Sequence, residues 1–142
     1  MNNITAYRRP VIFVTIIISL FALAANPSPK KRHPVKMKAG PAAVVEMTNT
    51  LKFTPDTVRI TKGQTVKWNN TSLLAHSVTA DPDKSILEGS VMLPKGADSF
   101  DSGMLDPKQT FTHTFNTAGS YQYFCIPHEG AKMYGWVIVS ER

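Results

Sequence analysis

Cys125 is the only cysteine in the 142 residues, and it opens the stretch Cys125-Ile126-Pro127-His128-Glu129-Gly130-Ala131-Lys132-Met133. A thiolate, an imidazole and a thioether in one short loop are soft or borderline donors, suited to a transition metal rather than a hard cation. With a second imidazole they make the set of a mononuclear copper site, in which a thiolate and two imidazoles lie roughly in a plane and the thioether sits farther off along the axis. The candidate for that second imidazole is His76, far upstream in Asn69-Asn70-Thr71-Ser72-Leu73-Leu74-Ala75-His76-Ser77-Val78. His33 lies in a Pro- and Lys-rich stretch and reads as solvated. His113 alternates with Phe111 and Phe115 and reads as structural. The candidate metal ligands are therefore His76, Cys125, His128 and Met133, a set that closes only when the chain folds.

The chemistry follows from the donors. Cu(I) favours soft, low-coordinate ligation and Cu(II) favours tetragonal nitrogen and oxygen ligation, and this set is tolerable for both. A scaffold that holds the donors still lets an electron arrive or leave with little rearrangement. A catalytic zinc site, in contrast, keeps a position open for water and does not seek a thioether. Coordination would also mask a thiol that is otherwise reactive. With a single cysteine there is no intramolecular disulfide, and no binuclear copper centre bridged by two cysteines.

The elements that must position these donors read as short strands. Ala43–Met47, Thr57–Thr61, Thr65–Asn69, Val78–Ala80, Thr110–Phe115, Ser120–Cys125 and Gly135–Val139 are β-branched or aromatic runs bounded by turn residues. Lys62-Gly63-Gln64 reads as the turn of an antiparallel hairpin joining Thr57–Thr61 to Thr65–Asn69. Residues 81–108, with Pro82, Gly89, Pro94, Gly96, Gly103 and Pro107, read as irregular. No sustained helical periodicity follows the leader, so the expected fold is all-β, an antiparallel Greek-key β-sandwich. On the strand ending at Cys125, Tyr121, Tyr123 and Cys125 share a face, which points the thiol toward the interior. Trp68 reads as core, and Trp136 as facing outward.

These features together resemble the cupredoxins, the plastocyanin, pseudoazurin and amicyanin-like blue-copper proteins. The C-x2-H-x4-M spacing is that of plastocyanin and pseudoazurin. Val66-Lys67-Trp68-Asn69-Asn70 ahead of His76 and Gly119-Ser120-Tyr121-Gln122-Tyr123-Phe124-Cys125 also match, over roughly the last hundred residues. Phe100-Asp101-Ser102-Gly103 resembles the amicyanin-like branch. The resemblance implies a type 1 copper ion, single-electron transfer between larger redox proteins, and partners such as a c-type cytochrome, a photosystem or an oxidase. It implies that His128 is the electron port, amid Leu73, Leu74, Ala75, Pro127 and Ala131, with Lys132 adding a positive charge at the rim. It also places Ser77 where plastocyanin has an asparagine that braces the copper loop, and Phe124 where plastocyanin has a tyrosine beside its acidic patch.

Ahead of the strands, Arg8-Arg9 precede an apolar run from Val11 to Ala25 with the small-x-small ending Ala22-Leu23-Ala24. These are the parts of a secretory signal peptide over residues 1–24, cleaved after Ala24; an uncleaved anchor is the alternative. Residues 25–41 form a basic, Pro-rich linker, and 42–142 the copper-binding domain. The formal net charge of +6 belongs to the first two segments, which hold seven of the sixteen Lys and Arg. The remaining domain is nearly neutral and carries no basic stripe interleaved with aromatics, which argues against nucleic acid. The expectation is an exported monomer, in a periplasm or thylakoid lumen, touching a membrane only through its leader or basic arm. It carries no acid–base constellation and is not read as an enzyme. The rival readings are a periplasmic copper protein for delivery or homeostasis and a metal-free structural module.

Overall fold

The structure, a computed structural model, describes residues 40–142; the leader and nearly all of the linker lie outside the described residues. Among the described residues nine strands build two sheets: β1 (Ala43–Met47), β2 (Phe53–Thr54), β3 (Thr57–Thr61), β4 (Thr65–Asn70), β5 (Thr79–Ala80), β6 (Phe100–Asp101), β7 (Thr110–Thr114), β8 (Gly119–Phe124) and β9 (Tyr134–Ser140). One sheet runs β2-β1-β4-β7 and the other β3-β9-β8-β5-β6. The β-sandwich expected from the strand pattern is present. Most pairings are antiparallel, but β1 with β4 and β3 with β9 are parallel.

The inferred hairpin is a different object. β3 and β4 occupy their expected residues, yet they lie in opposite sheets, and Lys62-Gly63-Gln64 is a corner across the sandwich. Gly63 takes φ +84°, a left-handed conformation natural to glycine, and its amide donates to the Phe115 carbonyl at 2.7 Å. A short glycine turn between two alternating strands looks the same in sequence whether the chain stays in one sheet or crosses to the next. Pairing decides it, because β4 uses its edges on β1 and β7.

Alternation supplies the core. Val58 and Ile60 from β3, Val66 and Trp68 from β4, Tyr121 and Tyr123 from β8, and Val137 and Val139 from β9 are all buried. Trp68 sits among Phe100, Phe111, Phe115 and Tyr123, with ring centroids 5.4–6.3 Å apart. His113 stacks on Phe100 at 4.3 Å and is structural, as expected; burial lowers its pKa, against a weaker upward pull from Asp98. Tyr123 faces Gly135 across the β8–β9 ladder, and a Cβ at Gly135 would collide with the Tyr123 ring. The glycine is therefore required by the ring beside it.

β8 is buried on both faces, because the chain after β5 folds back over it. Met92 and Gln122 exchange backbone hydrogen bonds at 3.2 and 2.9 Å, and the Gln122 side-chain amide donates to the Gly89 carbonyl. Phe124, on the face opposite Tyr123, is fully buried and so is no surface docking residue. The segment read as irregular thus contributes β6, the bridge at Met92 and a 3-10 turn over Pro82–Lys84.

Candidate metal centre

The chain leaves β8 at Cys125 and turns at once into a 3-10 helix, Ile126–Ala131. Pro127 suits the start of that helix, since its fixed φ is nearly helical and its missing N–H has no partner to lose there. The turn then closes on itself. His128 N–H donates to the Cys125 carbonyl at 3.1 Å, Lys132 N–H to Glu129 at 2.8 Å, and Met133 N–H to His128 at 3.3 Å. Cys125 N–H returns to the Met133 carbonyl at 3.1 Å, so the two ends of the loop are stitched together. The residue that takes the left-handed conformation in this loop is Lys132, φ +56°.

His76 arrives from the other side on a segment tied down by long-range partners. Its N–H and C=O pair with Leu105 at 3.0 and 2.7 Å. Asn70 is buried and uses its whole side-chain amide: Nδ2 donates to the carbonyls of Leu74 and Leu105, while Oδ1 accepts from the Ser72 N–H and hydroxyl. A side chain committed in this way is unavailable for glycosylation in the folded protein, although it stands in an acceptor sequon.

These two segments bring donors together. The Cys125 sulfur lies 3.5 Å from Nδ1 of His76 and 3.3 Å from Nδ1 of His128. The donor atoms of the three residues all lie within 4.8 Å of one another. A first-row ion about 2.3 Å from a sulfur and about 2.0 Å from a nitrogen spans such separations at near-tetrahedral angles. Met133, at the end of the same loop, is 1 % exposed, with its backbone bonded to both Cys125 and His128. All four residues singled out from the sequence are gathered at one end of the sandwich.

The surroundings suit a metal. Burial lowers the pKa of His76, and the nearby His128 lowers it further against a weaker upward pull from the Thr48 backbone, so the imidazole stays neutral and its lone pair available. Burial raises the Cys125 thiol pKa, opposed by hydrogen bonds from Ser77 and His128, so a metal must displace the proton from sulfur. The Ser77 N–H points at the sulfur from 3.2 Å, and the Ser77 hydroxyl accepts from the Ile126 N–H at 2.8 Å. The serine in the asparagine's place therefore still braces the loop. Outside, Leu73 is 83 % exposed, and Leu74, Ile126, Pro127 and Ala131 are also exposed, with His128 partly buried. Lys132 is exposed too, as its rim position implied.

One important side chain escaped the sequence. Glu129, between two candidate ligands, is 2 % exposed, and its carboxylate accepts from the Ser85 hydroxyl at 2.6 Å and from the Ile86 and Leu87 amides at 3.1 and 3.2 Å. Burial pushes its pKa up, but these hydrogen bonds outweigh burial and hold it below the usual carboxylate value. A lone acid in a loop carries no signal for this, because its donors lie over forty residues upstream.

A β-sandwich with a thiol and two imidazoles converging at one end defines a small copper protein of the cupredoxin class. Over residues 41–140 the sequence matches the family described as copper binding proteins, plastocyanin/azurin family, and the chain belongs to that family. It is 36 % identical over 126 residues to the chloroplastic plastocyanin of Tetradesmus obliquus, covering 86 % of this chain and 71 % of that one. It is 35 % identical over 125 residues to amicyanin of Paracoccus versutus, covering 84 % and 87 %. Among solved structures, the reduced Cu(I) form of an amicyanin point mutant at pH 4 superposes with a TM-score of 0.55 at 28 % identity, over 72 % of this chain and 85 % of that one. A pseudoazurin from Sinorhizobium gives 0.54 at 27 % identity, over 70 % and 73 %. Copper is the cofactor that this membership brings, and electron carriage the class of activity.

Proposed function

We propose that this is an exported type 1 copper protein that carries single electrons between larger redox proteins, with copper held by His76, Cys125, His128 and Met133. The observation that carries the reading is the convergence of a buried thiol with two Nδ1 atoms at 3.3 and 3.5 Å. Bound copper would supply a one-electron Cu(I)/Cu(II) couple. The chain's part is to hold the donors still. The loop around Cys125 is closed by its own backbone, His76 is anchored on Leu105, and the sulfur receives the Ser77 N–H, so a change of charge meets a scaffold that is already organised. His128, beside exposed apolar residues, is the port through which a donor or acceptor would be reached.

The domain boundaries proposed are 1–24 for the signal peptide, 25–41 for the linker and 42–142 for the copper domain. The workplace is a periplasm or a thylakoid lumen, the molecule works as a monomer, and its partners are redox proteins such as a c-type cytochrome, a photosystem or an oxidase. A carrier rather than an enzyme fits a centre whose thiol is wholly buried and leaves no evident place for substrate. The same burial disfavours a delivery protein, which must release its metal readily. Among the described residues no helix is long and apolar enough to cross a membrane.

The test is the visible and electron paramagnetic resonance spectrum of the mature domain after one equivalent of Cu(II). An intense blue band with narrow copper hyperfine splitting is expected, and Met133→Leu should keep the band and raise the reduction potential. A colourless or ordinary square-planar copper spectrum would overturn the reading.

A further inference from the structure

Beside the ligand loop lies a cavity of about 400 Å³ that the copper chemistry does not use, lined by Lys52, Phe53, Thr54, Asp56, Lys132 and Tyr134. It holds two cations and one anion. The ion pairs among the described residues are Lys62 with Glu141 and Lys84 with Asp101. Neither Lys52 nor Lys132 is therefore spent on a carboxylate, and Asp56, although it shares the lining, pairs with neither. We propose that this cavity is a carboxylate-binding site, in which Lys52 and Lys132 grip one anionic group a single residue away from Met133. The binding stands apart from the ligand assignment, and only its effect on copper rests on that reading.

The backbone goes out of its way to bring the two lysines together. Lys52 closes a turn in which its carbonyl accepts from the Thr48 N–H at 3.0 Å and the Leu51 N–H donates to the Thr48 carbonyl at 3.1 Å. Leu51 takes φ +57° to make that turn, and Lys132 takes φ +56°. Left-handed backbone is costly for a residue with a large side chain, and such positions gather at ligand clamps and other functional sites. Among the described residues three non-glycines have positive φ; one is a cavity lysine and another directly precedes the second cavity lysine. The walls between them are fixed. The Tyr134 N–H donates to the Lys132 carbonyl at 2.9 Å, and Phe53, 2 % exposed, sets its ring edge-on to Tyr123 with centroids 4.7 Å apart.

Charge selects the ligand class. Two ammonium groups against one carboxylate leave the lining with one net positive charge, which a singly charged oxyanion neutralises. Each ammonium can only donate, and Thr54 adds a hydroxyl that can donate as well. A carboxylate accepts at both oxygens and so can meet both lysines at once. Asp56 repels further negative charge, which favours a monoanion over a dianion such as phosphate. Because Lys132 directly precedes Met133, a carboxylate that cancels its charge favours the more positive Cu(II) state and lowers the reduction potential. By linkage, the oxidised protein must hold the carboxylate more tightly than the reduced one.

The experiment follows the amide resonances of Lys52, Thr54, Lys132 and Tyr134 in the metal-free protein at constant ionic strength. The probes are sodium acetate, for a free carboxylic acid, and a short peptide carrying one glutamate, for an acidic side chain of a protein. Saturable shifts confined to these amides are expected. Lys52→Gln and Lys132→Gln should each weaken binding about fivefold, as the loss of one exposed ion pair allows, and Asp56→Asn should strengthen it by a similar factor. Opposite signs at neighbouring positions are not what a fold defect gives, and Lys52→Gln, outside the ligand loop, keeps the test open if Lys132→Gln folds poorly. Saturation by acetate alone assigns the site to free small acids; saturation by the peptide as well assigns it to a protein's acidic side chain. No saturable shift with either probe, shifts reproduced by chloride, or native affinity in both lysine variants would overturn the site. In the copper protein the midpoint potential should fall over the same acetate range and should lose that response in Lys52→Gln; saturating shifts with an unmoved potential would overturn the coupling to copper. If the protein bound copper without the blue band, the ligand assignment would fall, while the resonance shifts would still decide the cavity.

Discussion

The loop Cys125–Met133 closes through bonds among its own residues, whereas the segment Asn70–His76 is held mainly by residues that arrive 29 or more positions later, Leu105 foremost. Both deliver donors to the same sulfur, yet one is nearly a local motif and the other a product of the whole fold. The ligand loop can therefore be displaced along the sequence as a unit, spacing intact. His76 has no such unit. It needs Asn70 to shape its turn and Leu105 to fix its backbone, and without them it is one histidine among four.

The comparison can be broken at its centre or sharpened at either segment. The largest effect is expected for Cys125→Ser: the thiolate-to-copper band should vanish completely while circular dichroism still reports the sandwich, and a strong band in that variant would sink the ligand assignment. Next is Asn70→Ala, which strips four hydrogen bonds from the His76 segment. It should destabilise the metal-free protein by about 3 kcal/mol in denaturant unfolding and weaken copper binding. A loss under about 0.5 kcal/mol would mean that packing alone holds the segment. The smallest is Glu129→Gln, which keeps the shape but sets an amide donor against the Ile86 or Leu87 N–H. A cost of about 1–2 kcal/mol and faster exchange at those two amides are expected, with the ligand loop otherwise intact. Unchanged exchange would mean that the carboxylate does not clamp the two segments.

What can be read from the sequence divides along the same line. Cys125, His128 and Met133 are legible because their spacing is set by one turn. The strands are legible because Val58 and Ile60, or Val66 and Trp68, alternate with more exposed neighbours as a half-buried sheet requires. The corner at Gly63 reads as a hairpin and is not one, since a turn does not reveal which sheet receives the next strand. Glu129 and Asn70 give no signal of burial, because each is a polar residue whose partners are brought to it only by folding. The resemblance sets Phe124 where plastocyanin has a tyrosine beside its acidic patch, and its burial under the segment after β5 is visible only in the fold. The place of Ser77 in the brace is legible too, and its reach to Ile126 needs coordinates.

β9 follows the ligand loop directly and lies inside its sheet, between β3 and β8. A nascent or translocating chain that has emerged only as far as Phe124 has β8 without the strand that flanks it and β3 without any partner in that sheet. At that stage it also lacks Cys125, His128 and Met133. The last structural gap is thus filled by the strand that directly follows the loop carrying three of the four candidate donors. The stretch from Cys125 to Ser140 therefore completes both the candidate donor set and the second sheet.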